Sequence, residues 1–202
     1  MPMHILGVEV PLWLLDWSGS LMLVVSLAYL WTKRSGYWWW GNASTLPYFV
    51  LFVSSGQWLF AGLQASYLLF GLHGQYLWWL EHRRDQRGVR FAETFWYSVG
   101  WVLSLLMFAY ATAITDLSSA LNQIQFAATG LALLANWATT RKWTWSWSVW
   151  IAVNALQAIF FEQVGYWGLM SLQFVLAAMS VYGLIQWRSA RAARARGERT
   201  PA

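Results

Sequence analysis

Cysteine is absent from the chain, which excludes a disulfide scaffold and a thiolate metal site. Charge is scarce as well. Asp, Glu, Lys and Arg make up 10% of the 202 residues, under half the roughly 25% of an average globular chain. There is no Walker-type glycine-lysine loop, so the chain does not hydrolyse ATP. Three histidines, His4, His73 and His82, lie scattered without metal-ligand spacing. What fills the chain instead is apolar: 58% of residues are hydrophobic, 19% are aromatic and 18 are tryptophan. A soluble fold of this size would expose large apolar patches if it carried so much indole. Soluble enzyme, nucleic-acid-binding domain and disordered chain are therefore excluded. Mean hydropathy is only +0.40 because hydropathy scales penalise Trp, an amphipathic side chain that prefers the membrane interface.

Seven apolar stretches are long enough to cross a membrane as helices, at roughly 17–25 residues each. They run at about 13–31, 38–53, 58–80, 92–114, 121–139, 145–161 and 166–187. The second contains Pro47 and is the shortest, so a kink is expected there. Basic residues fix the sidedness. Lys33 and Arg34 follow the first span, and Arg83, Arg84, Arg87 and Arg90 the third. Arg141 and Lys142 follow the fifth, and Arg188, Arg191, Arg194, Arg196 and Arg199 the seventh. These are all 13 Lys and Arg residues, and a seven-span arrangement puts every one on the same side. The positive-inside rule makes that side the cytoplasm, with the N-terminus outside. The start of the chain, Met1-Pro2-Met3-His4, lacks the basic region of a cleavable signal peptide. The basic tail, 188–202, reads as a stop-transfer anchor touching anionic lipid headgroups.

The chain repeats itself. Leu63-Gln64, Gly74 and Trp78 recur with the same spacing as Leu172-Gln173, Gly183 and Trp187, an offset of 109. Thr32-Lys33-Arg34 recurs as Thr140-Arg141-Lys142 at an offset of 108. Spans one to three thus correspond to spans five to seven, and the fourth is a linker. Equivalent helices are four spans apart, so the two halves run the same way through the bilayer. The expected fold is all-α: a polytopic membrane protein of two parallel three-helix repeats joined by a linker helix, a 3+1+3 plan within one membrane domain. Repeat one covers about 13–80, the linker about 92–114 and repeat two about 121–187.

No catalytic constellation is present, so an enzyme is not expected. Asp16 and Glu162 lie near span ends, where a carboxylate reaches water as an interfacial cap, and His73 reads as a hydrogen-bonded structural or interfacial histidine. No carboxylate lies near the middle of any span, which argues against proton coupling. The spans do hold aromatics mixed with neutral amides. Trp147-x-x-Trp150-x-x-x-Asn154 places three side chains on one helical face. A buried Asn needs a partner, and two indoles beside it suggest a slot for a flat heterocycle. A cationic ring there would gain roughly 0.5–2 kcal/mol of cation–π attraction. Gln64 and Gln173, equivalent by repeat, are further intramembrane amides, as are Gln125, Asn136 and Gln157. The structural alternative is that the amides join helices and the indoles, such as Trp13, Trp38 and Trp187, form interface belts.

These residues, with Trp40-Gly41 in the first half and Tyr182-Gly183-x-x-x-Trp187 at the end, resemble the PnuC family of bacterial vitamin transporters over roughly residues 13–187. The resemblance implies uptake of a small water-soluble vitamin across the bacterial inner membrane, with nicotinamide riboside the first expectation. Transport would be facilitated diffusion with alternating access, and a cytosolic kinase would trap the substrate. It implies substrate contacts from Trp147, Trp150 and Asn154, with Gln64 matching the amide of the first repeat, and Gln173, Ser44 and Gln125 completing the set. Ser44 stands where the family's first repeat usually has Asn, and Gln125 where an Asp commonly opens span five. Those departures leave thiamine or riboflavin as the alternative within the family. A non-transporting membrane subunit or sensor is the alternative of another class. The partners implied are the vitamin and the lipid bilayer, with no nucleic acid and no cofactor. A homo-oligomer is left open.

Overall fold

The computed structural model of the chain describes residues 2–5, 8–31, 36–83, 92–140 and 143–195. Those residues form seven long helices: α1 (Leu12–Trp31), α2 (Gly36–Ser54), α3 (Trp58–His82), α4 (Tyr97–Ile114), α5 (Ala120–Thr140), α6 (Ser146–Val164) and α7 (Trp167–Ala195). A π-type turn, Ala92–Trp96, leads into α4. Each helix lies within a few residues of an expected apolar run, except that α7 continues eight residues past Trp187. Helix is the natural solution for such segments, since it satisfies every backbone polar group within the segment itself.

Two features depart from expectation. A short hairpin precedes the helices, with β1 (Pro2–Ile5) antiparallel to β2 (Val8–Pro11) and Met3 opposite Val10. Strands of four residues carry too little periodicity to be read from sequence, and a two-stranded hairpin is marginal in isolation. The basic tail is also not a separate segment from 188 onward. Its first part, to Ala195, is the last two turns of α7. α2 runs unbroken through Pro47.

Three helices carry an apolar window long enough to cross a membrane by length and composition: Leu12–Tyr29, Thr94–Ile114 and Trp167–Ser189. The other four mix indoles, amides and hydroxyls into the same length. The chain divides into two compact units, Met1–Asp116 and Leu117–Ala202.

In the first unit α1 packs on α2, α2 on α3, and α3 on α4. Leu51, Phe52, Leu59, Phe60 and Leu63 form its core, with the Phe52 and Phe60 rings 5.3 Å apart. The α1–α2 contact is close because Gly19 faces the Tyr48 ring. A Cβ there would stand 2.7 Å from that ring.

In the second unit α6 packs against both α5 and α7. Ala128, Ala132, Ala135 and Ala138 recur every three or four residues along α5 and are all fully buried. Such a small-residue stripe lets helices approach closely, the device that holds helices together where lipid competes with apolar packing.

The local structure of the units coincides at one offset. The turn after α2 places Gly56 at φ +68°, and the turn after α6 places Gly165 at φ +75°. In the first, the Gly56 and Gln57 amides donate to the Val53 and Phe52 carbonyls; in the second, Gly165 and Tyr166 donate to Glu162 and Phe161. These are the paired bonds of a Schellman C-cap, which needs a left-handed residue and so favours glycine. Every partner in the second turn is 109 residues after its counterpart. Buried positions follow the same offset, including Asp16 and Gln125, Ser20 and Thr129, Thr45 and Asn154, and Phe60 and Leu169.

Candidate functional site

The polar interior of the second unit is built from one face of each of its helices. On α5, Gln125 and Thr129 stand one turn apart, each 1% exposed. On α6, Trp147, Trp150 and Asn154 share the expected face, but neighbouring helices draw them in two directions. The Trp150 Nε1 donates to Thr139 Oγ1 on α5 at 3.0 Å. Asn154, 4% exposed, donates its Nδ2 to Ser180 Oγ on α7 at 3.3 Å. The Trp147 ring lies over Gly183, where a Cβ would stand 2.7 Å away, and meets Trp187 edge-on at 5.4 Å and 86°. The expected slot between two indoles is therefore not what forms, because Trp147 is taken up by α7 and Trp150 by α5.

Several of these side chains hold buried atoms that find no hydrogen-bond partner within the protein. They are Gln125 Nε2, Thr129 Oγ1, Ser146 Oγ, Trp147 Nε1 and Gln173 Oε1. Each such atom costs about 1–3 kcal/mol if nothing satisfies it. Among the described residues, no Lys, Arg or His is buried with them in this unit. They also differ in depth. At 1.5 Å per residue, Gln125 is about 20 Å along α5 from Thr139 and so from the indole of Trp150, while Gln173 is about 10 Å along α7 from Ser180. No single small ligand touches them all. Asn154 and Ser180 mark the middle, the indoles one end and the unpaired Gln and Thr groups the other.

The first unit carries a counterpart of different chemistry. Asp16 on α1 is 2% exposed, with Ser20 one turn on and the Tyr48 hydroxyl as its Coulombic neighbour. Ser20 Oγ and Tyr48 Oη are 2.7 Å apart and share a hydrogen bond. On α2, Asn42 donates its Nδ2 to Gln75 Oε1 on α3 at 3.1 Å and packs on Gly71, where an added Cβ would meet the Asn42 Oδ1. Trp38 lies against Gly74 in the same way that Trp147 lies against Gly183, again 109 residues apart.

A family model described as nicotinamide mononucleotide transporter matches residues 13–190. The chain belongs to that family. It is accordingly a multi-pass membrane transporter and not an enzyme. Searches of curated proteins and of solved structures give no match.

Not every residue singled out in the transporter's sequence serves as expected. Asp16 does not reach water as an interfacial cap; it is buried, one turn before Gly19, where α1 and α2 approach closely. Glu162, by contrast, is exposed near the end of α6. Ser44 is buried and donates to the Gly41 carbonyl on its own helix at 2.7 Å, so its hydroxyl hydrogen is already spent. Gln64 is half-buried on α3 of the first unit. His73 lies edge-on to Tyr97 with its buried Nδ1 unpaired rather than hydrogen-bonded. The side chains of His4 and His82 fall outside the described residues, as do Arg141 and Lys142. Trp13 is well exposed, as a belt residue should be, but Trp38 and Trp187 pack inward. The residues of this interior that the sequence reading did not single out include Thr129, Thr139, Ser146 and Ser180. A signal existed for two of them: Thr129 follows Gln125 by four residues and Ser180 follows Gln173 by seven, both helical repeats.

Proposed function

We propose that this transporter takes up nicotinamide riboside, or a closely similar phosphate-free riboside, by facilitated diffusion with alternating access of two parallel three-helix repeats. The observation that carries the reading is that the unpaired polar atoms on α5, α6 and α7 are all neutral, with no Lys, Arg or His buried beside them among the described residues. A nucleoside offers hydroxyls, an amide and a flat ring, which match neutral partners and indole faces. A mononucleotide adds a phosphate, and phosphate recognition rests on charge-assisted bonds from Arg or Lys. The family's name mentions the mononucleotide; the chemistry of this interior favours its dephosphorylated form. The coincidence of turns and buried positions at an offset of 109 supports the repeat architecture. The one-sided distribution of all 13 basic residues supports an outside N-terminus and a cytoplasmic C-terminus, where a kinase would trap the product of uptake. Liposomes containing the purified protein alone are the test. Labelled nicotinamide riboside should equilibrate into them without any gradient, whereas the mononucleotide and thiamine should not compete. Accumulation above the external concentration under an imposed proton gradient would refute the uncoupled mechanism. Entry of the mononucleotide would refute the substrate class.

A further inference from the structure

Two hydroxyls that touch the residues of the WxxWxxxN motif share an arrangement that limits what each motif residue can offer. Ser180 Oγ donates its hydrogen to the Leu176 carbonyl one turn back on α7, at 2.8 Å. Thr139 Oγ1 does the same to the Ala135 carbonyl on α5, at 2.7 Å. A hydroxyl has one hydrogen, so each of these can only accept a further bond. Asn154 must therefore turn its NH2 toward Ser180, and the indole N–H of Trp150 must point at Thr139. The consequence for Asn154 is that one N–H is committed to Ser180, while its carbonyl oxygen, Oδ1, and its second N–H take no part in that bond. The consequence for Trp150 is that its only polar atom is spent, leaving the ring. Trp150 and Asn154 are one helical turn apart, so a flat ring on the indole carries its substituent to the level of Asn154.

We propose that Ser180 is a positioning residue that holds the Asn154 NH2 toward α7 and so keeps its carbonyl oxygen free to accept, and that the transporter thereby selects a ring bearing a primary carboxamide over one bearing a carboxylate. A carboxamide supplies an N–H to Asn154 Oδ1. A carboxylate in the same place sets oxygen against Oδ1 with no hydrogen between them, and only the second N–H of Asn154 is left for it. Thr139 acts in parallel by holding Trp150 as a stacking surface without a donor. The proposal rests on the riboside reading above.

The experiment compares nicotinamide riboside with nicotinic acid riboside, which differ only at this group, on the reconstituted wild type and on Ser180→Ala and Ser180→Thr. Binding is read by quenching of intrinsic tryptophan fluorescence, and entry with labelled compounds. The wild type should favour the carboxamide at least tenfold. Ser180→Ala frees the amide to rotate and offer both hydrogens of its NH2, so the ratio should fall at least threefold. Ser180→Thr keeps an accepting oxygen and should keep the ratio. A purely structural role for Ser180 would weaken both compounds together and leave the ratio alone. Equal handling of both ribosides by the wild type overturns the proposal without needing any variant. An unchanged ratio in Ser180→Ala overturns it as well, and in either case the riboside reading survives. If the wild type takes neither riboside, that reading falls and the proposal with it.

Discussion

Replacing Gly183 by Ala tests the packing of the second unit at its tightest contact. A Cβ at this position stands 2.7 Å from Trp147 Cδ2 and Cε3 and 2.8 Å from Cε2. That is about 1 Å inside the 3.5–4.0 Å at which carbon atoms attract. The atoms met are the shared bond and inner edge of the indole, so no flexible tip can swing aside. The ring is also held from another direction by Trp187, edge-on at 5.4 Å. Overpacking of this kind costs about 1–3 kcal/mol. Replacing Gly by Ala inside a helix returns about 1 kcal/mol in propensity, and a control variant removes that contribution. Gly100→Ala on α4 has the same propensity gain, and its nearest neighbour is the edge of the Phe70 ring at 3.4 Å. The difference between the two variants is therefore the overpacking cost alone. At roughly 2–4 °C per kcal/mol for a chain of this length, Gly183→Ala should melt about 2–12 °C below Gly100→Ala. Thermal unfolding in detergent, followed by intrinsic fluorescence, measures this directly. A Gly183→Ala protein as stable as the Gly100→Ala protein would refute the contact between Trp147 and α7.

Two further expectations concern the buried polar groups. Gln125→Leu replaces an unpaired amide with apolar volume of similar size, so stability should hold or rise by about 1–3 kcal/mol while riboside uptake falls; loss of both in the thermal and uptake assays would mean the amide is structural. Ser20→Ala leaves the Tyr48 hydroxyl buried without its 2.7 Å partner and should cost about 1–3 kcal/mol, as should Tyr48→Phe. Combined, they should cost less than their sum in the same melting experiment, because each already breaks the one bond they share.

How far the chain was legible depended on the scale of the feature. Helix positions followed from apolar runs bounded by basic loops, since a membrane leaves the backbone few options. The recurrence at an offset of 109 was visible at Gln64 and Gln173 and at Gly74 and Gly183; Gly56 and Gly165, at the same offset, share a turn geometry that only their φ values reveal. Site residues were legible as residue types but not as contacts. Trp147, Trp150 and Asn154 lie on one face of α6, as their spacing requires. Spacing carries no information on which neighbour each one meets.

Asp16 shows the limit most clearly. As the fifth residue of a helix, a carboxylate ordinarily reaches water, yet this one is buried beside the close α1–α2 contact at Gly19 and Tyr48. By itself, the sequence determined that the chain is a membrane protein, roughly where its helices run and that short motifs recur at an offset of 109, because composition, periodicity and loop charge act locally along the chain. The tertiary structure decided which amide atoms are paired, which indoles are spent on packing and which hydroxyls orient their neighbours. Those are properties of contacts between helices, and a hydrogen bond across two helices leaves no trace in the spacing along either.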